Sequence, residues 1–456
     1  MSGSDREAER SVDRPRQPNA DVLNALLDAA RRAGAEQADA LLVHSASLSV
    51  QRRLGAIEEL ERAESSDLGL RVFIGKRVAI VSGTDMSPSG FAALAERAVA
   101  MARVVPEDAL ATLLDAPAPL TGLDLGDALE PDADALLARA ALAEEAAMAV
   151  PGVTNSEGAS AGWSRATRAL ATTRGFFGEY TRASHSISAT ALAGAGTGMQ
   201  RDYDYSSASH LADLDDAALL GRRAGEQAVA RLNPTRPAST RLSVVYHPRV
   251  AASLLGHLVS AINGASIARG TSFLKDAMGQ QILPRGMFVM DDPLRPRGPR
   301  SRPFDGEGQP GIRRALIEDG VLTTWLLDGR SAKQLGLTTT GHAARGTGGP
   351  PSPAPTNLWL EPGDVTPAAL MSDIREGLYI TELIGMGVNG ITGDYSRGAA
   401  GFMIRDGQLA EAVGEITIAG KLPEMFLAMR AANDLEFRRG SDAPTIRVDG
   451  MTLAGA

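Results

Sequence analysis

Six histidines supply all the imidazole chemistry of this chain: His44, His185, His210, His247, His257 and His342. No two lie three, four or five positions apart, so no helix presents a histidine pair to a metal ion. Cysteine is absent, which excludes disulfides, thiolate metal sites, iron–sulfur clusters and cysteine nucleophiles. His257 stands out by its setting. It sits mid-helix in Leu254-Leu255-Gly256-His257-Leu258-Val259-Ser260-Ala261, with apolar Leu254 and Ala261 about a turn away on either side. The plain reading is a partly buried histidine hydrogen-bonded to backbone.

Three other stretches carry chemistry-bearing residues. Gly385-Met386-Gly387-Val388-Asn389-Gly390 fits GxGxxG and follows the strand-like Leu378–Leu383. A dinucleotide fingerprint needs a helix next, and the turn-rich Ile391–Gly398 follows instead. Gly158-Ala159-Ser160-Ala161-Gly162 fits GxSxG, but a nucleophile elbow joins a strand to a helix, and this stretch reads as antiparallel sheet. A nucleophile drawn from Ser396 or Thr347, with His342 as base, has no spacing signature. Arg285–Arg314 holds Arg285, Arg295, Arg297, Arg300, Arg302, Arg313 and Arg314 against four acids. The ordinary meaning is a solvated loop with internal ion pairs. The alternative is a docking surface for an acidic partner.

The elements that position these residues fall into three units. A helix from Asn19 to about Ala33 is read from Val22, Leu23, Leu26, Leu27 and Ala30, with Gly34 at its cap. Strands follow at Ala38–His44, Ser47–Leu54, Ala56–Leu60, Gly69–Ile74 and Arg77–Val81, the last two joined by Gly75-Lys76. Ser87-Pro88 opens a second helix. Residues 106–130, with Pro106, Pro117 and Pro119, read as a linker. A second unit over 131–235 has a helix at Asp132–Ala149, strands within Val153–Tyr205 and a helix at Asp215–Leu232. In 240–456, Leu242–Tyr246 is a strand, and Pro248 opens a helix that ends at Asn263-Gly264. Short strands then recur at Phe288–Met290, Thr323–Leu327, Asn357–Leu360, Leu378–Leu383, Gly401–Arg405, Glu415–Ala419 and Thr445–Val448. The fold class is α+β: two small N-terminal α+β units (19–105 and 131–235), then a large C-terminal domain (240–456) rich in antiparallel strands, as one sheet or barrel-like.

Composition narrows the function classes. The chain has 456 residues, enough for several domains with sizeable cores. Its net charge of −9 disfavours general nucleic-acid binding, which needs a basic surface. Residues 1–18 are polar and mixed in charge, without the apolar segment of a secretory signal, and read as a disordered tail. No window approaches the ~18 consecutive apolar residues of a membrane span. A cytoplasmic location without membrane contact is expected.

Several blocks together resemble the TldD/PmbA metalloprotease family, in its PmbA (TldE) branch. They are Ala251–Leu274 (AASLLGHLVSAINGASIARGTSFL), Ser301–Gly308, Gly341–Leu358, Tyr379–Gly398, Glu415–Leu422 and Asn433–Phe437. Gly69–Ile80 and the helix after Ser87-Pro88 also match. The resemblance implies a cytoplasmic two-subunit protease acting on short or unfolded peptides and modified-peptide precursors. It also implies a TldD-type partner that carries zinc on a His-Glu-x-x-x-His helix, with a cysteine ligand from near the C-terminus. Carried onto this chain, the first His position is Gly256, the Glu position His257 and the second His position Ala261. The cysteine region reads Gly414-Glu415-Ile416-Thr417-Ile418-Ala419-Gly420. The expectation is a subunit without catalytic residues, metal or cofactor of its own, whose partners are the TldD-type chain and a peptide. Candidate peptide contacts in its Gly-rich loops are Arg269, Gly270, His342, Arg345, Asp394, Tyr395 and Arg397. The family is also described as modulating DNA gyrase, which implies a binding regulator without a peptidase role as the alternative.

Overall fold

The computed structural model describes residues 18–456. The disordered-tail reading therefore falls, over residues 1–17, outside the described residues, while Pro18 already opens a helix. The N-terminal half contains α1 (Pro18–Ala33), β1 (Gln37–Arg53), β2 (Ala56–Ile74), β3 (Arg77–Gly83) and α2 (Pro88–Val104). It continues with α3 (Ala133–Met148), β4 (Val153–Thr172), β5 (Phe177–Ala193), β6 (Gln200–Ala208) and α4 (Ala217–Ala230).

The two N-terminal α+β units share one antiparallel sheet, ordered β3-β2-β1-β4-β5-β6. The seam is β1 against β4, in unbroken register from Asp39↔Thr172 to Arg52↔Ala159. The separate strands read at Ala38–His44 and Ser47–Leu54 are this one strand. Its intervening Ser45 and Ala46 pair on both edges, so nothing interrupts the ladder. Side chains alternate across the sheet. Leu42 packs with α1 and α2, and Leu48 and Val50 pack with α3 and α4. The opposite face offers Leu41 and Leu170 to Phe176 and Phe304, the last from the C-terminal domain.

Local signals set the helix ends. Ser87 accepts from Gly90 N and Pro88 starts α2; Asp132 and Asp216 cap α3 and α4 in the same way. Residues 106–130 hold no helix or strand but are not loose. Leu113 and Leu125 are buried, and Asp127 bonds His185 Nε2 (2.9 Å) and Leu211 N (2.7 Å), strapping the segment along the sheet.

The C-terminal domain begins with β7 (Thr240–Tyr246), α5 (Pro248–Ala261), α6 (Gly264–Ala268), β8 (Val289–Asp292), β9 (Arg314–Glu318) and β10 (Val321–Leu322). Then come α7 (Gly329–Leu335), β11 (Ala343–Ala344), β12 (Ser352–Pro353), β13 (Asn357–Leu360) and α8 (Pro367–Met371). It ends with β14 (Glu376–Ile384), β15 (Asp394–Arg405), β16 (Gln408–Lys421), α9 (Leu422–Leu427), β17 (Met429–Ala431), β18 (Ser441–Asp442) and β19 (Ile446–Ala454). One sheet runs β16-β15-β14-β7-β19-β17, and β16 also pairs with β19, closing a ring. The second runs β10-β9-β8-β13-β18. Most pairings are antiparallel; β14–β7 and β13–β18 are parallel. Helix α5 touches strands of both sheets and lies in the largest core.

Three local readings change. Thr323–Leu327 is not a strand. Thr323 Oγ1 bonds Ala315 O and Leu316 O, and Leu326 bridges to the α5–α6 junction through Ile262 O and Gly264 N. Asn263-Gly264 does not simply end a helix: α5 closes at Ala261, and Asn263 caps α6 through Ala265 N. The segment read as turn-rich after Gly390 becomes strand from Asp394, because Tyr395, Arg397 and Ala399 alternate inward towards α5.

Candidate functional site

Helix α5 presents two faces. Val250, Ala251, Leu254, Leu255, Leu258 and Ala261 are buried. Gly256 lies on the other side, where a Cβ would meet nothing within 4 Å. His257 is half-buried, its ring edge-on to Tyr395 at 5.8 Å between centroids. Its Nε2 is buried without a hydrogen-bond partner, so the expected backbone bond is not formed there. Burial, reinforced by the Arg397 charge, pushes the imidazole down to about 4 and keeps it neutral at pH 7. The Tyr395 hydroxyl is likewise buried, facing the Tyr246 phenol, and burial raises its pKa. Arg397 is buried too, donates from Nε to Ile384 O (3.4 Å) and pairs with no carboxylate among the described residues. The site is thus a neutral imidazole, a phenol and an unpaired guanidinium beside an open glycine.

Asp394 starts β15 next to this cluster, exposed, accepting from Thr392 Oγ1 (2.6 Å). The sequence places Asp394, Tyr395 and Arg397 in a Gly-rich loop; they stand instead on a strand, whose alternation exposes the first and buries the other two. Arg269 and Gly270 follow α6 and are exposed, Gly270 with φ of +70°. Arg269 lines a separate cavity of about 580 Å³ with Arg71, Glu307 and Arg330.

His342 and Arg345 lie elsewhere and are not free to meet a peptide. His342 is buried, its Nδ1 on Thr340 Oγ1 (2.8 Å) and its Nε2 on Asp291 Oδ1 (3.0 Å). Both ring nitrogens are engaged, which also leaves neither Ser396 nor Thr347 a base in His342. Arg345 Nη1 bonds Asp39 Oδ1 (2.7 Å), and Arg71 Nε bonds Asp39 Oδ2 (2.8 Å). Arg71 approaches Glu307 at 3.6 Å, and Glu307 Oε2 accepts from Gly329 N (2.7 Å). Burial alone would raise the Asp39 pKa, but Arg345 and Arg71 hold it low. Glu307, buried with less compensation from Arg71, is pushed up to about 7. This network pins the N-terminal sheet to the C-terminal domain. Sequence reading missed it, since no local pattern marks partners that lie about 300 positions apart.

A metal site needs several donor side chains converging. Gly256 and Ala261 have none, Ala261 faces the core, and His257 alone offers an imidazole. The residues at the three motif positions do not fit a zinc ion. Among the described residues no cluster of three or more His, Cys, Asp or Glu could hold one elsewhere.

Fold and site define a protein of the PmbA/TldD/TldE type. A Bacteroides thetaiotaomicron protein described as a candidate modulator of DNA gyrase superposes with a TM-score of 0.87, at 26% identity, over 97% of this chain and 100% of that one. TldE from Thermococcus kodakarensis shares the fold at a TM-score of 0.85 and 19% identity, covering 95% of this chain and 100% of its own. Family models for PmbA/TldA metallopeptidase domain 1, central domain and C-terminal domain match residues 38–102, 126–232 and 239–455. The chain is 35% identical to metalloprotease PmbA of Escherichia coli O157:H7 over 92% of both chains, and 33% identical to the Haemophilus influenzae homologue over 94% of both. The chain belongs to the PmbA/TldD metallopeptidase family. No helix among the described residues is long and apolar enough to cross a membrane.

Proposed function

We propose that this chain is the metal-free subunit of a two-component cytoplasmic peptidase, working beside a TldD-type subunit that carries the zinc. The observation that carries the reading is Gly256. The helix is complete and its outward face open, so the architecture of a metal helix is kept while the ligating atoms are gone. Without them the chain has no Lewis acid or activated water with which to attack a peptide bond. Its own contribution is to hold peptide.

Arg397, buried and without a carboxylate, has donors for a peptide carbonyl beside His257 and Tyr395. Exposed Asp394, Arg269 and Gly270 extend the contact. An extended peptide held mainly through its backbone suits unfolded or precursor clients of varied sequence. The test is to purify the chain alone and with a TldD-type partner, and to follow hydrolysis of an unstructured peptide. Turnover is expected only from the pair and is lost with chelator. Chelator-insensitive turnover by this chain alone overturns the reading. The name of the Bacteroides relative favours a second reading, a gyrase-directed regulator. Capture of a gyrase subunit and no TldD-type chain supports that one.

A further inference from the structure

Between the N-terminal sheet and the C-terminal domain lies a second cavity, of about 520 Å³. Its wall carries Arg168, Arg182, Arg300, Arg302 and Arg345, with Asp305 as the acid among its lining residues. That size is within the range of ligand pockets, about 300–1,000 Å³. Two of these arginines come from the Arg285–Arg314 run; strands β4 and β5 bring Arg168 and Arg182 to meet them.

Most of the charge is left uncompensated; Asp305 feels the Arg302 charge but lies beyond ion-pair distance. Arg168, Arg182, Arg300 and Arg302 form no ion pair with any carboxylate among the described residues. Each instead donates to a neutral oxygen: Arg168 to Arg345 O (3.1 Å), Arg182 to Ser301 O, Arg300 to Ser441 Oγ (3.0 Å) and Arg302 to Gly341 O (3.4 Å). Asp305 is committed to the backbone, accepting from Glu307 N (2.8 Å), Gln309 N (2.9 Å) and Ala343 N (3.0 Å). The Nε atoms of Arg182, Arg302 and Arg345 are buried with no partner, and the Arg345 side chain is only 3% exposed. Burial lowers the Arg182 pKa, and Arg168, Arg302 and Arg300 repel its charge further.

A guanidinium has five N–H donors in a fork that matches an oxyanion. Arg168, Arg182 and Arg302 are half-buried and Arg300 is exposed at the rim, and partly desolvated like charges without counter-ions are costly. A chain of net charge −9 that gathers four guanidiniums without carboxylate partners around one hollow, beside the Asp39-bound Arg345, keeps them for something negative. We propose that this cavity binds an acidic peptide segment, taking at least two Asp or Glu carboxylates on Arg168, Arg182, Arg300 and Arg302. The choice of a peptide over a small phosphate compound rests on the peptide-holding role argued above; the oxyanion chemistry does not.

The full-length chain, without any partner, is titrated by fluorescence anisotropy with a labelled glutamate-rich octapeptide and with its glutamine counterpart. Inorganic pyrophosphate serves as competitor. The acidic peptide is expected to bind at least about tenfold tighter, since each charge-assisted bond contributes about that factor, and the preference fades at high salt. R168Q combined with R300Q is expected to cut acidic-peptide affinity by about tenfold or more and leave the glutamine peptide unchanged. Equal binding of the two peptides overturns the proposal and needs no variant, so a misfolded variant does not blunt the test. An R168Q/R300Q chain with full acidic preference overturns it as well. Tight pyrophosphate binding with no peptide preference transfers the cavity to small phosphate compounds and overturns the peptide assignment. Hydrolysis is not measured, so a failed subunit reading and a failed cavity assignment are told apart.

Discussion

At the scale of single residues, two neighbouring carboxylates in one buried network are driven in opposite directions. Asp39 faces two guanidiniums and stays ionised; Glu307 shares one of them at longer range and is pushed up to about 7. A carboxyl whose folded pKa exceeds its unfolded value holds a proton that the unfolded chain gives up. Between pH 4.5, its ordinary value, and about 7, the Glu307 contribution to stability therefore falls as pH rises. E307Q, which keeps an oxygen for Gly329 N, removes that titration. His247 and His257, held down to about 4, favour the fold as pH rises over the same range, so the urea midpoint is expected to move further upward from pH 5 to pH 8 in E307Q than in the parent; an unchanged shift shows that Glu307 titrates normally. D39N does the opposite kind of damage. It leaves Arg71 and Arg345 buried without their anion, and breaking a buried ion pair of this sort costs about 3–5 kcal/mol. Denaturant unfolding near pH 7 measures it, and a loss under about 1 kcal/mol contradicts the network's role.

At the scale of elements, the sequence was legible wherever a signal is local. Ser87-Pro88 and the Leu23–Ala30 stripe each depend on neighbours a few positions away, and each helix formed; β1 reads as two strands because its Ser45-Ala46 carries no local strand signal. His257 is legible for the same reason, as a polar residue within an apolar helix. Thr323–Leu327 misled because its apolar run is buried by docking on the α5–α6 junction rather than by strand pairing. The Asp39–Arg345 bond and the gathering of Arg168 with Arg302 join segments far apart in the chain, and no periodicity records such partners. The placement of Arg397 turned on one alternation, hidden behind glycines that read as turns.

Two glycines show how the same residue type serves different element-level needs. In α4, a Cβ on Gly221 would lie 1.9 Å from Ala143 O of α3, so glycine lets the two helices touch backbone to backbone. In α5, Gly256 faces open space. G221A is expected to destabilise by about 1–3 kcal/mol through overpacking. G256A is expected to stabilise by up to about 1 kcal/mol, the helix-propensity difference. Thermal melts of both compare them directly. Destabilisation by G256A contradicts the open face on which the metal-helix argument rests.

At the scale of the whole molecule, the proposed subunit role requires a surface for a partner. Large apolar side chains scattered singly on a surface need no explanation, but a group of them does. The β14–β15 hairpin carries Ile384, Met386 and Ile391 at 59%, 84% and 61% exposure. Its base is held firmly: Ser396 N bonds Gly387 O (2.7 Å), and Phe273 N bonds Gly390 O (3.1 Å). The hairpin thus projects apolar side chains from a fixed root, one turn of chain from Asp394 and Arg397. A TldD-type partner seated there would cover the hairpin and close over the His257–Arg397 cluster together. Fully burying an aliphatic side chain contributes about 1.5–3 kcal/mol, so two of them in an interface account for a tenfold or greater change in affinity. M386D with I391D is expected to weaken association with a co-expressed TldD-type chain by at least that factor, read by titration calorimetry. The lone chain's urea midpoint should not move, because both residues are already in water. Association that survives the double substitution places the partner on another face, and the cleft would then stay open in the complex.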